Sequence, residues 1–388
     1  MALVLNDEQK ALKESALDFF KQQSPVDTIR KLRDSNDATG FDRKVWKQMA
    51  EMGWPATIIP EAYGGLGFGF VGLGVVLEAG GRTLAPSPLF SSVALGASTI
   101  LLAGNEDQKL KLLPQIASGE KIVTFALQEG SVHNPRRVEC RAEKNSSGFK
   151  INGKKTFVTD GHVADTIIVV ARSSGEINDK KGISLFLIDA NQKGVSIHRS
   201  IMVDTRNSAV VTFDNVEVSG DSLLGEKQGE MDNAYDVVHK VIDRGNIALC
   251  AEMMGSVQEV FDQTLAYIKQ REQFDHPIGS FQALQHRAAQ MFCEIELAKS
   301  LVLRALNAVD EDAAGKGMGD LPLMASAAKV HLCDTYRLVS NEGIQMHGGM
   351  GMTDEMDVGL FLKRARVAMQ TLGDENYHLQ RYATLRGY

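Results

Sequence analysis

Two periodicities divide the chain. From Asn6 to Ala117 the apolar residues recur at spacings of three and four, the pattern of helices that bury one face. Leu12, Ala16, Phe19 and Phe20 share one side of an opening helix, with Asn6 and Asp7 as its starters. A second helix covers Asp42 to Ala50 and stops near Gly53. Pro55 to Pro60 reads as extended and leads into the turn Tyr63-Gly64-Gly65-Leu66-Gly67. Helical patterns resume near Gly69 to Ala79, Ser91 to Ala103 and Glu106 to Ala117, so residues 1–120 are expected to form an all-α domain.

At Lys121 the texture changes to short β-branched runs: Ile122 to Leu127, Phe149 to Ile151, Thr156 to Thr159, Thr166 to Ala171, Ile183 to Ile188 and Ala209 to Val216. Short strands at close spacing predict an antiparallel barrel or sandwich over residues 121–228, not a parallel dinucleotide-binding sheet. No G-x-G-x-x-G follows a strand, which disfavours a nicotinamide cofactor bound in the Rossmann manner. Long helical patterns return near Gln228 to Arg271, Gln282 to Ala313 and Leu321 to Gln345, giving a third, helical domain over residues 229–388. The expected class is α+β in the order α, β, α.

With 388 residues and 44% hydrophobic content the chain is long enough for a large core shared among two or three domains. The net charge of -7 comes without a basic cluster, which argues against nucleic acid as partner. Cys140, Cys250, Cys293 and Cys333 show no C-x-x-C spacing, so neither zinc nor a disulfide framework is expected and a reducing compartment fits. Met1 to Leu5 is too short for a signal peptide and runs at once into Asn6-Asp7-Glu8, so a cytoplasmic location is the expectation. No apolar run reaches the roughly 20 residues of a membrane span.

Chemistry concentrates in two C-terminal stretches. Arg271 to Gln282 reads R-x-x-F-x-x-P-I-x-x-F-Q, and Gln345-Met346-His347-Gly348-Gly349-Met350-Gly351 follows. Taken alone, the first is an ordinary turn between helices; together the two resemble the paired signatures of the acyl-CoA dehydrogenase family, and the resemblance covers nearly the whole chain. It implies a C-terminal four-helix bundle, FAD as cofactor, and Arg271, Phe274, Phe281, Gln282, Gln345, Gly348 and Gly349 reaching the pyrophosphate and adenosine of a neighbouring subunit's FAD. Arginine suits the role, since its planar fork matches paired phosphate oxygens. The family usually has glycine where this chain has Asp275. His347 is expected to make a cofactor-side hydrogen bond, not to bind metal.

The middle domain supplies the flavin-facing residues that the resemblance implies. The segment around Phe125, Leu127 and Gln128 stands where the family has L-T-E-P-x-A-G-S-D, with Gln128 replacing threonine and Asn134 replacing the serine near the CoA arm. In Lys155-Thr156-Phe157-Val158-Thr159-Asp160-Gly161, alternation puts Phe157 and Thr159 on one face of a strand. By resemblance Phe157 packs beside the isoalloxazine, and the Thr159 hydroxyl bonds flavin N5, the hydride acceptor.

Removing the α-proton of an acyl thioester needs a base. The position where most members carry glutamate is Leu372 here, with Asp374 two residues on. Some branches place the base on an earlier helix directly before an arginine, and this chain has Ile242-Asp243-Arg244 there. Asp243 is therefore the expected base and Arg244 the ligand of the pantetheine arm. Burial beside an apolar acyl chain raises a carboxylate pKa and improves it as a base. The competing reading pairs Asp243 with Lys240 or Arg244 as an ordinary helix salt bridge; Glu129 and Asp374 are weaker candidates.

The expectation is FAD-dependent oxidation of an acyl-CoA to its 2,3-enoyl product, with electrons leaving to an electron-transfer flavoprotein. Its acyl group is expected to be bulky, by resemblance to bacterial members that degrade steroid side chains or dicarboxylates. Two alternatives stand beside it: a non-catalytic subunit of a heteromeric dehydrogenase, marked by Leu372, and a flavin oxidase or monooxygenase on the same scaffold. Cross-subunit FAD contacts imply a homo-oligomer or a heterotetramer.

Overall fold

A computed structural model describes residues 4–225, 232–317 and 319–388. In chain order its helices are α1 (Asp7–Gln23), α2 (Asp27–Asp34), α3 (Arg43–Glu51), α4 (Gly69–Arg82), a π-helix (Leu89–Ala97), α5 (Ser98–Ala103) and α6 (Glu106–Ala117). Strands β1 (Val123–Ala126), β2 (Arg141–Lys144), β3 (Gly148–Thr159), β4 (Thr166–Arg172), β5 (Ile183–Asp189), β6 (Val195–Ile201) and β7 (Asn207–Ser219) follow. Then come α7 (Tyr235–Gln270), the strand pair β8 (Glu272–Gln273) and β9 (His276–Pro277), α8 (Gln282–Ala313), α9 (Leu321–His347), α10 (Val358–Gln370) and α11 (Glu375–Leu385). The helical, β, helical order is the expected one. The expected junction at residues 228 and 229, and the predicted start of α7 at Gln228, lie outside the described residues, as do Met1 to Leu3.

The chain divides into two compact units, with one division inside α7 between Gly245 and Asn246. The unit of residues 1–35, 70–86 and 246–388 is helical. Its α1 starts on a reciprocal capping box between Asn6 and Gln9, which satisfies orphan amides at the helix start. Helix α4 is capped from a distance, because the Asp310 carboxylate of α8 accepts from Phe70 N at 2.6 Å and Val71 N at 3.1 Å. Glycines bring α4 and α7 into backbone contact: a Cβ on Gly81 would lie 2.1 Å from the Glu252 carbonyl, and one on Gly255 1.8 Å from that of Glu78. A nearly buried pair, Arg364 Nε to Glu252 Oε1 at 2.9 Å, joins α10 to α7.

The other unit, residues 36–69 and 87–245, holds a seven-stranded sheet in the order β1-β4-β2-β3-β7-β6, with β5 on the remaining side of β4. Phe149, Val158, Ile167, Phe186, Ala209 and Val211 are among its core. Most pairs are antiparallel, but β4 runs parallel to both β1 and β2, so the sheet is mixed where the strand pattern suggested antiparallel pairing throughout. Every residue of β4 is buried, as a strand with neighbours on each side requires.

Several local expectations change. Trp54–Ala56 is a single tight helical turn where an extended segment was expected, since Pro55 fits the first turn of a helix. The runs at 149–151 and 156–159 are one strand interrupted by a bulge between Lys155 and Val158. Strands β2 and β6 are too polar to stand out by hydrophobicity, and α10 and α11 lie in the tail after the glycine signature.

Candidate active site

The residues nominated for the flavin's ring side lie in the β unit. Phe125 and Leu127 are buried at the end of β1, and the backbone Gln128 carbonyl accepts from Thr156 N at 2.7 Å, tying the segment after β1 to β3. The Gln128 side-chain amide is engaged locally, donating to the carbonyls of Gly130 at 2.9 Å and Val132 at 2.8 Å. Glu129 is fully committed to structure. Its carboxylate accepts from Lys155 Nζ at 2.6 Å, Glu139 N at 2.5 Å and Cys140 N at 3.0 Å, and Lys155 is entirely buried. Asn134 is exposed and closes a turn by accepting from Arg136 N at 3.2 Å.

Strand β3 ends in unusual backbone. Phe157 sits at φ +51° beside the bulge and Asp160 at φ +54°, a region where a side chain crowds its own backbone. Val158 turns into the core, while Phe157 remains 55% exposed and Thr159 half-buried. Phe157 is thus a large aromatic left in water on strained backbone. On α7, Asp243 is 1% and Arg244 5% exposed, so the candidate base and its neighbour are both buried.

The helical unit gathers the other nominated residues. Arg271 follows α7 directly, and the β8–β9 hairpin turns through Phe274 and Asp275 at φ +58° and +63°. Both central positions of this tight hairpin turn take left-handed backbone, which aspartate tolerates at the second. The turn lifts Phe274 to 85% exposure, its ring edge-on to Phe281 at 6.1 Å between centroids.

A stacked pair, Tyr267 on His347 with centroids 4.3 Å apart, joins the end of α7 to the end of α9 and so links the two signatures. His347 Nδ1 lies 2.7 Å from the Gly343 carbonyl, and burial pushes its imidazole pKa down. Arg271, Phe274, Phe281, Gln282, Gln345, Gly348 and Gly349 are all exposed. A Cβ on Gly348 or Gly349 would meet nothing within 4 Å, so the backbone there borders open space. A cation, two aromatic rings, two amides and a bare glycine backbone suit a dinucleotide with phosphates and an aromatic base.

The turn Thr371-Leu372-Gly373-Asp374 is held from below. Lys329, buried throughout, donates to the carbonyls of Thr371 at 2.5 Å and Ala368 at 3.1 Å, and to Asn246 Oδ1 at 3.3 Å. The Leu372 carbonyl accepts from Asn246 Nδ2 at 3.2 Å and His378 Nε2 at 3.0 Å, with Leu372 at φ +56°. Asp374 caps α11 by accepting from Tyr377 N at 2.8 Å. Burial lowers the Lys329 pKa and raises the adjacent Cys250 thiol to about 12. Lys329 and Asp160 went unremarked in the sequence, though a lysine within the apolar run Ala327-Ala328-Lys329-Val330 is a visible anomaly.

Three family descriptions match the chain in series: the acyl-CoA dehydrogenase N-terminal domain over residues 6–120, the middle domain over 128–216 and the C-terminal domain over 235–384. The chain belongs to the acyl-CoA dehydrogenase family. Its members are FAD-dependent oxidoreductases acting on CH–CH bonds. The probable acyl-CoA dehydrogenase YngJ of Bacillus subtilis is 30% identical, over 100% of this chain and 99% of that one. The caffeyl-CoA reductase–Etf complex subunit CarC of Acetobacterium woodii is 26% identical over 94% of each chain. A chain of the ChsE4–ChsE5 complex from Mycobacterium tuberculosis shares the fold with a TM-score of 0.87 at 23% identity, covering 100% of both chains. Among the described residues no helix is long and apolar enough to cross a membrane, and no group of three His, Cys, Asp or Glu is placed to hold a metal.

Proposed function

We propose that this member of the acyl-CoA dehydrogenase family oxidises an acyl-CoA thioester to the 2,3-enoyl-CoA with Asp243 as base. The observation that carries the reading is the pairing of a leucine at the family's usual base position with a carboxylate buried before an arginine on α7. Bound FAD supplies a hydride acceptor at N5. Asp243 takes the α-proton as the β-hydrogen leaves with its electron pair and the C=C bond forms, so the substrate loses one proton and one hydride. Phe157 covers the ring, and the Thr159 hydroxyl donates at its acceptor edge. Phe125, Leu127 and Gln128 flank it, with Gln128 acting through its backbone because its side chain is occupied. Arg244 and Asn134 hold the pantetheine arm, and the exposed set from Arg271 to Gly349 grips the adenosine and pyrophosphate of a neighbouring subunit's FAD.

An electron-transfer flavoprotein as acceptor accords with the Etf-complex subunit among the relatives. The domains are read as residues 1–120, 121–228 and 229–388. A cytoplasmic location accords with four cysteines that are all free thiols. A second reading, a non-catalytic subunit that completes a partner's flavin site, is favoured by Leu372 alone.

The test is the visible spectrum of the chain expressed by itself, then anaerobic mixing with straight, branched and cyclic acyl-CoA thioesters. A yellow protein bleached by one class supports the enzyme reading and names its substrate. A protein that stays colourless or inert until a related subunit is co-expressed supports the second.

A further inference from the structure

The π-helix Leu89–Ala97 is buried at every residue, and nine residues of that geometry are uncommon and recur at functional sites. Its consecutive serines hold two different strands. Ser91 Oγ donates to the Asp160 carboxylate at 2.6 Å, the shorter of its two contacts, while Ser92 Oγ accepts from Val123 N at 3.0 Å. The next residue of β1, Thr124, donates its hydroxyl to the Thr159 carbonyl at 2.6 Å. The end of β3 is thereby held twice, by its backbone from β1 and by its side chain from the π-helix.

This strand end needs holding. Phe157 and Asp160 both occupy the left-handed region, and the bulge between Lys155 and Val158 removes ladder bonds that would otherwise fix them. Such backbone persists only where its surroundings over-determine it. Asp160 is buried and its carboxyl group accepts the Ser91 hydroxyl at 2.6 Å, at the short end of such contacts.

We infer that Asp160, with Ser91, is a positioning residue for the flavin-facing surface: it locks the strained end of β3 so that the Phe157 ring and the Thr159 hydroxyl are presented in one fixed orientation. The inference rests on the proposed role of that surface and adds to it a second, buried layer that acts through Thr159. It also assigns a function to the π-helix, whose two serines span the gap between β1 and β3.

The experiment compares Asp160→Ala, Ser91→Ala, their double variant and Asp160→Asn. FAD affinity of the apoprotein is expected to fall about tenfold in each alanine variant, the scale of one buried hydrogen bond. The absorbance band and midpoint potential of bound flavin shift with it. Asp160→Asn keeps an acceptor for Ser91 and restores most of the loss, and the double variant is no worse than the worse single because both act through one contact. Alanine variants that melt earlier yet keep wild-type affinity, band and potential overturn the inference. Hydrogen exchange at the Phe157–Gly161 amides needs no cofactor: it is expected to speed up in both alanine variants, and unchanged exchange there means that no lock exists. A wild-type chain that takes up no FAD, even with a co-expressed partner, overturns the functional reading and this inference with it, while the exchange data still report on the lock.

Discussion

Among the turns of the helical unit that put side-chain-bearing residues into left-handed backbone, those at Leu372 and at Phe274-Asp275 are built in opposite ways. At Leu372 the strain is met from inside: Lys329, Asn246 and His378, all buried, hold the carbonyls of Thr371 and Leu372. At Phe274 and Asp275 the turn stands in water, with the phenylalanine ring 85% exposed. The first turn is held by buried side chains of the chain itself. The second holds two residues in left-handed backbone at an open surface, which is what the proposed grip on a neighbouring subunit's FAD would use.

Removing the support of the first turn should be the costliest change. Lys329→Ala leaves a cavity and takes the lysine donor from the buried Thr371 carbonyl and Asn246 Oδ1, and is expected to destabilise by about 4 kcal/mol in denaturant unfolding. A loss below 1 kcal/mol would mean that the turn does not depend on Lys329. In the β unit, Lys155→Met strands the nearly buried Glu129 carboxylate and is expected to cost about 3 kcal/mol by the same measurement.

The exposed turn should behave in reverse. Phe274→Gly removes a side chain from left-handed backbone and is expected to stabilise the FAD-free chain by about 1 kcal/mol while loosening its hold on FAD. Thermal unfolding without cofactor and FAD titration of the apoprotein read the two effects separately; a variant that loses stability and keeps FAD would erase the contrast between the turns.

The smallest effect is a pH dependence at the link between the signatures. His347 is neutral in the fold because burial lowers its pKa below the ordinary value near 6.5. The unfolded chain therefore binds the extra proton first, so this contribution is fully present above about 6.5 and is lost as pH falls toward the folded value. His347→Phe, which keeps an aromatic ring against Tyr267, should flatten that part of the melting temperature profile.

Much of the architecture was legible because hydrophobic periodicity writes it directly. The bounds of α6 and α8 coincide with their patterns, and the change of period near Lys121 marks the start of the sheet. What stayed hidden was set by contacts distant in sequence. Strand β2, Arg141–Lys144, exists because β3 and β4 pair with it, not because its residues are apolar. The site divides similarly. Exposed Arg271, Phe274 and the glycines were readable as a motif, whereas Asp160 and Lys329 acquire meaning only through Ser91 and Thr371, 69 and 42 residues away. Nothing in the sequence around Gln128 reveals that the Gly130 and Val132 carbonyls occupy its side-chain amide.

The most direct test of the account is the rate of anaerobic flavin reduction by the best acyl-CoA thioester in Asp243→Asn against wild type. With Asp243 as base, the variant should bind FAD and thioester normally and reduce its flavin at least about a thousandfold more slowly, within the usual range for losing a general base. Reduction at the wild-type rate would contradict the assignment of the base.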